Sequence, residues 1–232
     1  MKVLVAGAEG QLGRDMVLAA GNAGHDVVGF GRAEMDVTDA EAVRRRLSLE
    51  RPDMVVNCSA WTDVDGAETA EEAAFAVNGT GAGNVAAGAR EVDAAVVYVS
   101  TDYVFDGQKG SPYVESDQPA PLSAYGRTKL AGEEATAAAN PRHFVVRSSG
   151  LFGIGGGNFV ATMLRLGETM NEVTVVRDQV TSPTYTWHLA YGLVRLIDGI
   201  EYGIHHMAAA GECSWYEFAG EIFEQAKVDC KV

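Results

Sequence analysis

The segment GAEGQLG, residues 7–13, follows the apolar run KVLVAG and leads directly into a helical pattern. Gly7, Gly10 and Gly13 have the spacing G-x-x-G-x-x-G. Glycines at this spacing allow a sharp turn and bring the N–H groups of a helix N-terminus close to an anion such as a pyrophosphate. A tight turn without a ligand is the alternative interpretation. The position on a first strand favours a phosphate-binding loop in a strand–helix–strand unit.

Short valine-rich runs recur along the first two thirds of the chain. Such nearly continuous apolar runs are typical of strands that are covered on both faces. They alternate with helical patterns, which predicts an α/β fold with a doubly wound parallel Rossmann sheet. The strands are expected at residues 2–7, 26–30, 53–60, 94–100 and 143–149, and the helices at residues 11–21, 39–50, 68–90 and 125–139. Thr38 and Glu41 form a capping-box pattern before the second helix.

The pattern changes after residue 150. A glycine-rich loop is followed by a predicted helix at 158–169, a short strand EVTVV at 172–176 and a polar loop at 177–184. Helices at about 184–198 and 214–227 are expected to close the chain. We therefore predict a dinucleotide-binding domain over residues 1–150. Residues 151–232 are expected to form a small C-terminal substrate-binding lobe mixed with returning elements of the sheet.

Composition excludes several classes of function. A formal net charge of -14 argues against binding to nucleic acid or to an anionic membrane. Cys58, Cys213 and Cys230 are scattered and form no C-x-x-C pair, so a reducing cytoplasm is the expected compartment. We find no three-part signal peptide and no apolar run long enough to span a bilayer.

The end of the second strand bears on the choice of cofactor. NAD sites usually place an acidic residue there, whereas the strand in DVVGFGR has no Asp or Glu at its end and Arg32 lies just beyond it. Since an arginine suits a 2′-phosphate, NADPH is predicted ahead of NADH; a solvated surface arginine is the alternative. Asp36 and Val37 follow where an adenine could be contacted. Asn78, at the start of the glycine-rich run NGTGAGN, is expected to approach the cofactor.

Two further segments carry polar groups suited to carbonyl chemistry. Ser100, Thr101 and Tyr103 follow the fourth strand, at the sheet edge where ligands bind in open parallel sheets. Tyr125 and Lys129, in SAYGRTKLAG, lie four residues apart and share one face of a helix. A nearby ammonium and a cationic nicotinamide would favour a phenolate and bring its pKa of about 10 closer to neutrality.

Several of these segments together resemble one family. The chain resembles the dTDP-4-dehydrorhamnose reductase family of extended short-chain dehydrogenases/reductases. The matching stretches, which span nearly the whole chain in order, are GAEGQLG, PDMVVNCSAWTDVDGAE, STDYVFDG, YGRTKLAGE, GGGNFVATML, VVRDQVTSPTYT and CSWYEFA.

The resemblance implies an NADPH-dependent reduction of a nucleotide-linked 4-keto-6-deoxysugar. Thr101, Tyr125 and Lys129 fall on the family's catalytic positions, with Tyr125 as proton donor. The implied cofactor contacts are Gly7, Gly10, Gln11, Leu12, Gly13, Asp36, Val37, Ser59, Ala60, Tyr125 and Lys129. The implied contacts to the sugar nucleotide are Thr62, Val64, Thr101, Asp102, Tyr103 and Asn158.

The chain departs from the family in two places. Gly150 stands where some relatives carry an aromatic residue, which predicts a larger sugar pocket. Relatives also continue beyond the final KVDCKV, so we expect either a truncated chain or a smaller C-terminal lobe. Family members can bind magnesium at a dimer interface, near a position that matches Asp15, but no metal site is predicted here. A homodimer is left open.

Two other functions remain as alternatives. An epimerase or dehydratase would keep Tyr125 and Lys129 but recycle a tightly held NAD; dehydratases add an acidic pair beside the threonine, which is incomplete at Asp102–Tyr103. A relative of this family serves as a non-catalytic, NADP-binding regulatory subunit of methionine adenosyltransferase. The intact set of Thr101, Tyr125 and Lys129 favours catalysis.

Overall fold

A six-stranded parallel sheet forms the centre of the computed structural model, which describes all residues from 1 to 232. Its strands run in the order β2-β1-β3-β4-β5-β9, and every pairing in it is parallel. The ten strands of the chain are β1 Lys2–Ala6, β2 Asp26–Phe30, β3 Met54–Asn57, β4 Ala95–Thr101, β5 His143–Ser148, β6 Leu151–Phe152, β7 Val180–Thr181, β8 Thr184–Tyr185, β9 Gly203–His206 and β10 Cys213–Ser214. The predicted doubly wound parallel fold is confirmed.

Nine α-helices accompany these strands. They are α1 Gln11–Asn22, α2 Ala40–Glu50, α3 Val64–Thr69, α4 Glu71–Phe75, α5 Gly81–Glu91, α6 Ala124–Ala139, α7 Phe159–Gly167, α8 Thr186–Ile197 and α9 Trp215–Ala226. The region 68–90, expected as one helix, is divided among α3, α4, a π-helical turn Ala76–Thr80 and α5. The N-cap of α2 is Asp39, which accepts from the N–H groups of Glu41 and Ala42, so the prediction of a Thr38 cap is wrong.

Alternate residues of the buried strands supply two separate cores, because successive side chains point to opposite faces of a sheet. On one face, Val3, Val5 and Val97 pack with α1 and α8 in a cluster of 18 buried residues. On the other face, Leu4 and Val96 pack with α2 and α5 in a cluster of 13 buried residues. Helix α6 lies beside α5 and contacts β4 and β5.

The C-terminal part both completes the sheet and forms a small core of its own. Strand β9 pairs with β5, and α8 packs on α1, so these elements return to the sheet. Helices α7 and α9 pack together around a third cluster that includes Met163, Ile222 and Phe223. The predicted strand at 172–176 is wrong, because only Glu172 makes an isolated bridge, to Lys231. The expected polar loop at 177–184 contains the short strands β7 and β8.

No helix is both long enough and apolar enough to cross a membrane.

Candidate active site

The glycine turn is packed so closely that side chains are excluded from it. Gly7 has φ of +73°, and a Cβ there would lie 2.8 Å from the backbone nitrogen of Ser59. A Cβ on Gly13 would collide with the carbonyl oxygen of Gly7. Gly10 is the N-cap of α1, with no side chain above the first N–H groups of the helix. The turn therefore leaves an open cradle at a helix N-terminus, which suits the pyrophosphate of a dinucleotide.

Gln11 and Leu12, which follow Gly10 in the turn, make different contacts. Gln11 is the first residue of α1, and its side-chain amide donates to the carbonyl oxygen of Gly153 at 2.9 Å. Leu12 is buried in the core between the sheet and α1, so a contact with the cofactor would have to come from its backbone. The sequence prediction that both contact the cofactor thus involves a backbone group at Leu12.

A cavity of about 390 Å³ opens beside this turn, at the carboxyl ends of β1, β2 and β3. Its walls bring together residues that the sequence predicts for the glycine turn, for the 2′-phosphate and for the adenosine half of a cofactor. They include Gly7, Gly10, Arg32, Asp36, Val37, Ser59 and Ala60, together with Glu9, Gly31, Met35, Cys58, Trp61 and Val77.

The guanidinium of Arg32 is already engaged. Its Nε lies 3.2 Å from a carboxylate oxygen of Asp36, and the Arg32 side chain is 82% exposed. Hydrogen bonds from the Thr38 backbone and hydroxyl lower the pKa of Asp36, and Arg32 lowers it further. Asp36 is therefore held in its charged form beside the cation.

At the end of β4, Thr101 belongs to a chain of hydroxyl and carboxyl groups. The Thr101 hydroxyl donates to Asp102 at 3.1 Å, and the Ser149 hydroxyl donates to the other Asp102 oxygen at 2.6 Å. Ser149 also lies 2.6 Å from the hydroxyl of Thr181. Burial raises the pKa of Asp102 in spite of these hydrogen bonds. The hydrogen bond to Asp102 thus fixes the orientation of the Thr101 side chain.

Tyr125 is the second residue of α6 and lies beside these hydrogen-bonded hydroxyl and carboxyl groups. Its ring meets the ring of Tyr103 edge-on, with centroids 5.6 Å apart. Burial raises the pKa of the Tyr125 phenol well above its usual value, a hydrogen bond with Thr101 offsets part of this rise, and the nearby Asp102 adds to it. Before any ligand binds, Tyr125 is a protonated phenol next to Thr101.

Lys129 lies one turn further along α6 and is almost completely buried. Its ammonium nitrogen donates to the carbonyl of Val99 at 2.7 Å and lies 4.1 Å from the centre of the Tyr98 ring. Burial lowers the pKa of Lys129 to about 7, against the opposing effect of Glu133. The Cys58 thiol, whose pKa burial raises to about 12, is the other titratable neighbour.

Glu133 continues the same face of α6 and was not singled out from the sequence. It makes a buried ion pair with Arg147 of β5, with nitrogen and oxygen 2.7 Å apart, and accepts from the Ser100 hydroxyl at 2.5 Å. Residues 125, 129 and 133 recur at helical spacing, so this carboxylate could have been noticed as a third polar position on the catalytic face. Arg147 lies in β5 and Ser149 follows that strand, and nothing local in the sequence indicates their partners.

Three of the residues expected to hold the sugar nucleotide lie at the starts of α3 and α7. Thr62 and Val64 lie where the chain leaves β3 and enters α3. Helix α3 is fastened to the start of α6, because Glu68 accepts from the Ala124 N–H at 2.7 Å. Asn158 caps α7 and donates to the Gly153 carbonyl at 3.0 Å, the oxygen that Gln11 also contacts.

Asn78 and Gly150 have surroundings that differ from those predicted from the sequence. The Asn78 side chain is completely buried and bonds the backbone of Trp61 and the hydroxyl of Thr128, so it does not line the cavity. It holds the Trp61 segment against α6 instead. Gly150 has φ of +54°, and a Cβ there would lie 3.1 Å from Pro183, so any side chain would require a strained backbone and a small shift of its neighbours.

Metal ligation has no evident place in this arrangement. No group of three or more His, Cys, Asp or Glu side chains could hold a metal ion. Asp15 accepts a hydrogen bond from the Thr186 hydroxyl at 2.6 Å.

Comparison with known proteins places this arrangement in a family. The family model described as the RmlD substrate binding domain matches residues 1–232. Among curated proteins, the chain is similar to the spore coat polysaccharide biosynthesis protein SpsK of Bacillus subtilis, with 40% identity over all of this chain and 81% of the relative. It is also similar to the dTDP-4-dehydrorhamnose reductase of Mycolicibacterium smegmatis, with 43% identity over 98% of this chain and 70% of the relative.

A solved structure is also similar to this chain in both sequence and fold. The dTDP-4-dehydrorhamnose reductase of Bacillus anthracis, in complex with NADP, superimposes with a TM-score of 0.96 and 39% identity. The match covers 100% of this chain and 83% of that one.

Proposed function

The chain belongs to the RmlD substrate binding domain family, and on that premise we propose that it is an NADPH-dependent nucleotide-ketosugar reductase. The reaction proposed is reduction of the C4 keto group of dTDP-4-keto-6-deoxy-L-mannose to give dTDP-L-rhamnose. The observation that carries the proposal is the meeting of Thr101 and Tyr125 beside the buried Lys129, on the sheet edge that also holds the glycine cradle. The names of the two reductases at 43% and 39% identity support it.

The residues present fit a nicotinamide dinucleotide. The cradle of Gly7, Gly10 and Gly13 would hold the pyrophosphate, and the cavity beside it would take the adenosine half. When bound, the cofactor supplies the hydride that adds to the carbonyl carbon. The complex of the Bacillus anthracis relative with NADP supports this assignment.

Tyr125 and Thr101 would act on the carbonyl oxygen. The raised pKa of Tyr125 keeps its phenol protonated near neutral pH, so a proton is available for the oxygen as its negative charge develops. When substrate binds, the Thr101 hydroxyl, which donates to Asp102 in the free protein, would turn to the same oxygen as a second donor. Donors directed at a developing negative charge contribute strongly to catalysis.

Lys129 would serve both the cofactor and Tyr125. As an ammonium on the same helical face, it would hold the nicotinamide ribose and stabilise the phenolate that forms when Tyr125 gives up its proton. Its buried position beside Tyr98 and the Val99 carbonyl fixes its direction.

Several finer points remain proposals. The substrate is taken to be a small nucleotide sugar, held by Thr62, Val64, Asp102, Tyr103 and Asn158, with the C-terminal lobe as the substrate-binding part. A cytoplasmic location and a homodimer stay predictions. A tightly bound magnesium ion is not part of the proposal.

The test is to mix purified protein with NADPH and dTDP-4-keto-6-deoxy-L-mannose and follow the nicotinamide absorbance. We expect sugar-dependent oxidation of NADPH. Tyr125→Phe should lower kcat by about 100-fold or more while the dissociation constant of NADPH stays unchanged, since only the proton donor is removed. Tyr191→Phe, at an exposed position on α8, is the matched control.

If a folded wild-type protein binds NADPH but never oxidises it with this sugar, the proposal is wrong. That outcome would favour the non-catalytic regulatory alternative. Oxidation that is equally fast in Tyr125→Phe would remove Tyr125 from its role.

A further inference from the structure

Glu9 occupies an unexpected place at the end of β2. It lies between Gly7 and Gly10 in the glycine turn, yet its carboxylate reaches across to β2 and lies against Gly31. A Cβ built on Gly31 would collide with this carboxylate, so the missing side chain at position 31 is what admits it. Both residues line the adenosine cavity.

The end of β2 is where NAD sites carry their acidic residue. A carboxylate there accepts hydrogen bonds from the ribose 2′-hydroxyl, whereas a 2′-phosphate is accommodated by a cation. The sequence of β2 offers no acid at its end, but the fold delivers one from the neighbouring loop. Glu9 therefore stands in the place of the missing β2 acid.

The charges around this point oppose a 2′-phosphate. Arg32 is the only basic side chain that lines the cavity, and it is paired with Asp36. Glu34 adds a further carboxylate, which accepts from the Gly31 N–H at 3.2 Å but does not line the cavity. The other nearby cation, Arg46, is stacked over Phe30 at 4.3 Å and also lies outside the cavity walls. Near the end of β2, the three carboxylates of Glu9, Glu34 and Asp36 therefore outnumber the two cations of Arg32 and Arg46. Arg32 is already paired with Asp36.

We infer that Glu9 is the residue that sets the choice between NADH and NADPH, and that it allows NADH to bind about as tightly as NADPH. The inference rests on the proposed function, because it concerns the adenosine end of the same cofactor. Its physical basis is a hydrogen bond to the 2′-hydroxyl in one case and like-charge repulsion of the 2′-phosphate in the other.

The test measures dissociation constants for NADH and NADPH, without any sugar, from the change in nicotinamide fluorescence on binding. In the wild type the two constants should agree within about tenfold. Glu9→Gln should tighten NADPH binding and weaken NADH binding, moving their ratio about tenfold toward NADPH. Glu34→Gln is the matched control, with the same loss of charge outside the cavity, and should move the ratio by less than about threefold.

Two results would overturn the inference. One is a ratio that Glu9→Gln leaves unchanged, or changes no more than Glu34→Gln does. The other is a strong wild-type preference for NADPH that Arg32→Ala abolishes, which would make Arg32 the deciding residue. Because binding is measured without sugar, a protein that shows the expected shift but reduces no ketosugar would disprove only the proposed reaction. Failure to bind either dinucleotide would disprove both.

Discussion

Lys129 and Asp102 show how burial acts in opposite directions on groups of opposite charge. Burial lowers the pKa of the Lys129 ammonium to about 7 and raises the pKa of the Asp102 carboxyl. In both cases the charged form is disfavoured because it has lost water. Burial therefore weakens the preference of both groups for their charged forms, relative to the same side chains in solution.

The pH dependence of kcat/KM for the reduced dinucleotide should follow the protonation state of Lys129. Its lowered pKa means that the side chain is charged below about pH 7 and neutral above it. Since the ammonium is the form expected to hold the ribose, kcat/KM for the reduced dinucleotide should fall as pH rises through about 7. Steady-state rates over about pH 6 to 9 test this. Lys129→Met should abolish both most of the activity and this pH dependence, and a flat wild-type profile would contradict the expectation.

Removing the charge of Asp102 should affect catalysis more than stability. Asp102→Asn is expected to lower kcat by roughly tenfold to 100-fold, because the orientation of Thr101 depends on this carboxyl. The midpoint of thermal unfolding should change little, since a neutral amide is less costly to bury than a carboxylate. Kinetics and thermal melts would be compared with Asp106→Asn, a carboxylate of the same loop that bonds Tyr113 instead. Wild-type kcat in Asp102→Asn would exclude the orienting role.

At the scale of elements, helix α6 is positioned by a close approach to its neighbours. Gly132 faces the carbonyl of Asn78 in the π-helical turn and the phenol of Tyr98 in β4. The Tyr98 hydroxyl donates to that same carbonyl at 2.9 Å. A small residue is needed at this point because three elements meet there, and the contact sets the depth at which α6 presents Tyr125 and Lys129.

Substitution of Gly132 should therefore destabilise the fold. A Cβ at this position collides with both Asn78 and Tyr98, so Gly132→Ala should lower the free energy of unfolding by about 3 kcal/mol. Gly21→Ala, in α1 with nothing within 4 Å of its Cβ, is the control and should raise it by about 0.5–1 kcal/mol. Chemical denaturation measures both. An unaffected Gly132→Ala would show that α6 can shift without cost.

The whole molecule is held by cores of unequal size. The sheet is covered by clusters of 18 and 13 buried residues, whereas the cluster between α7 and α9 contains only five. Apolar burial is the main stabilising contribution, so the part around α7 and α9 should open more readily than the central sheet. Asn158 and Gln11 connect the beginning of this part to the glycine turn through Gly153.

Hydrogen exchange should reveal this difference. Amides of α7 and α9 are expected to exchange faster than those of β1, β3 and β4, and to slow when a dTDP-sugar is added with the dinucleotide. Exchange followed by mass spectrometry, with and without ligands, provides the measurement; α2, on the far side of the sheet, serves as internal reference. Equal protection of α7 and β4 in the free protein would contradict the argument.

The sequence by itself determined the parallel sheet, the glycine turn and the Tyr125–Lys129 face of α6. These depend on local patterns, namely the apolar strands, the glycine spacing and the helical period. It also indicated the family, because the matching stretches occur in order along the whole chain.

Only the tertiary structure decided which distant side chains meet. The contact of Glu9 with Gly31 and the ion pair of Glu133 with Arg147 join residues on separate elements, and so does the Ser149–Asp102 bond. The same is true of Asn78, which the fold turns away from the cavity and into bonds with Trp61 and Thr128. A local pattern determines which face of an element a side chain occupies, but its partner depends on how the elements pack. The charge at the end of β2 therefore could not be read from β2 alone, since its carboxylate comes from another loop.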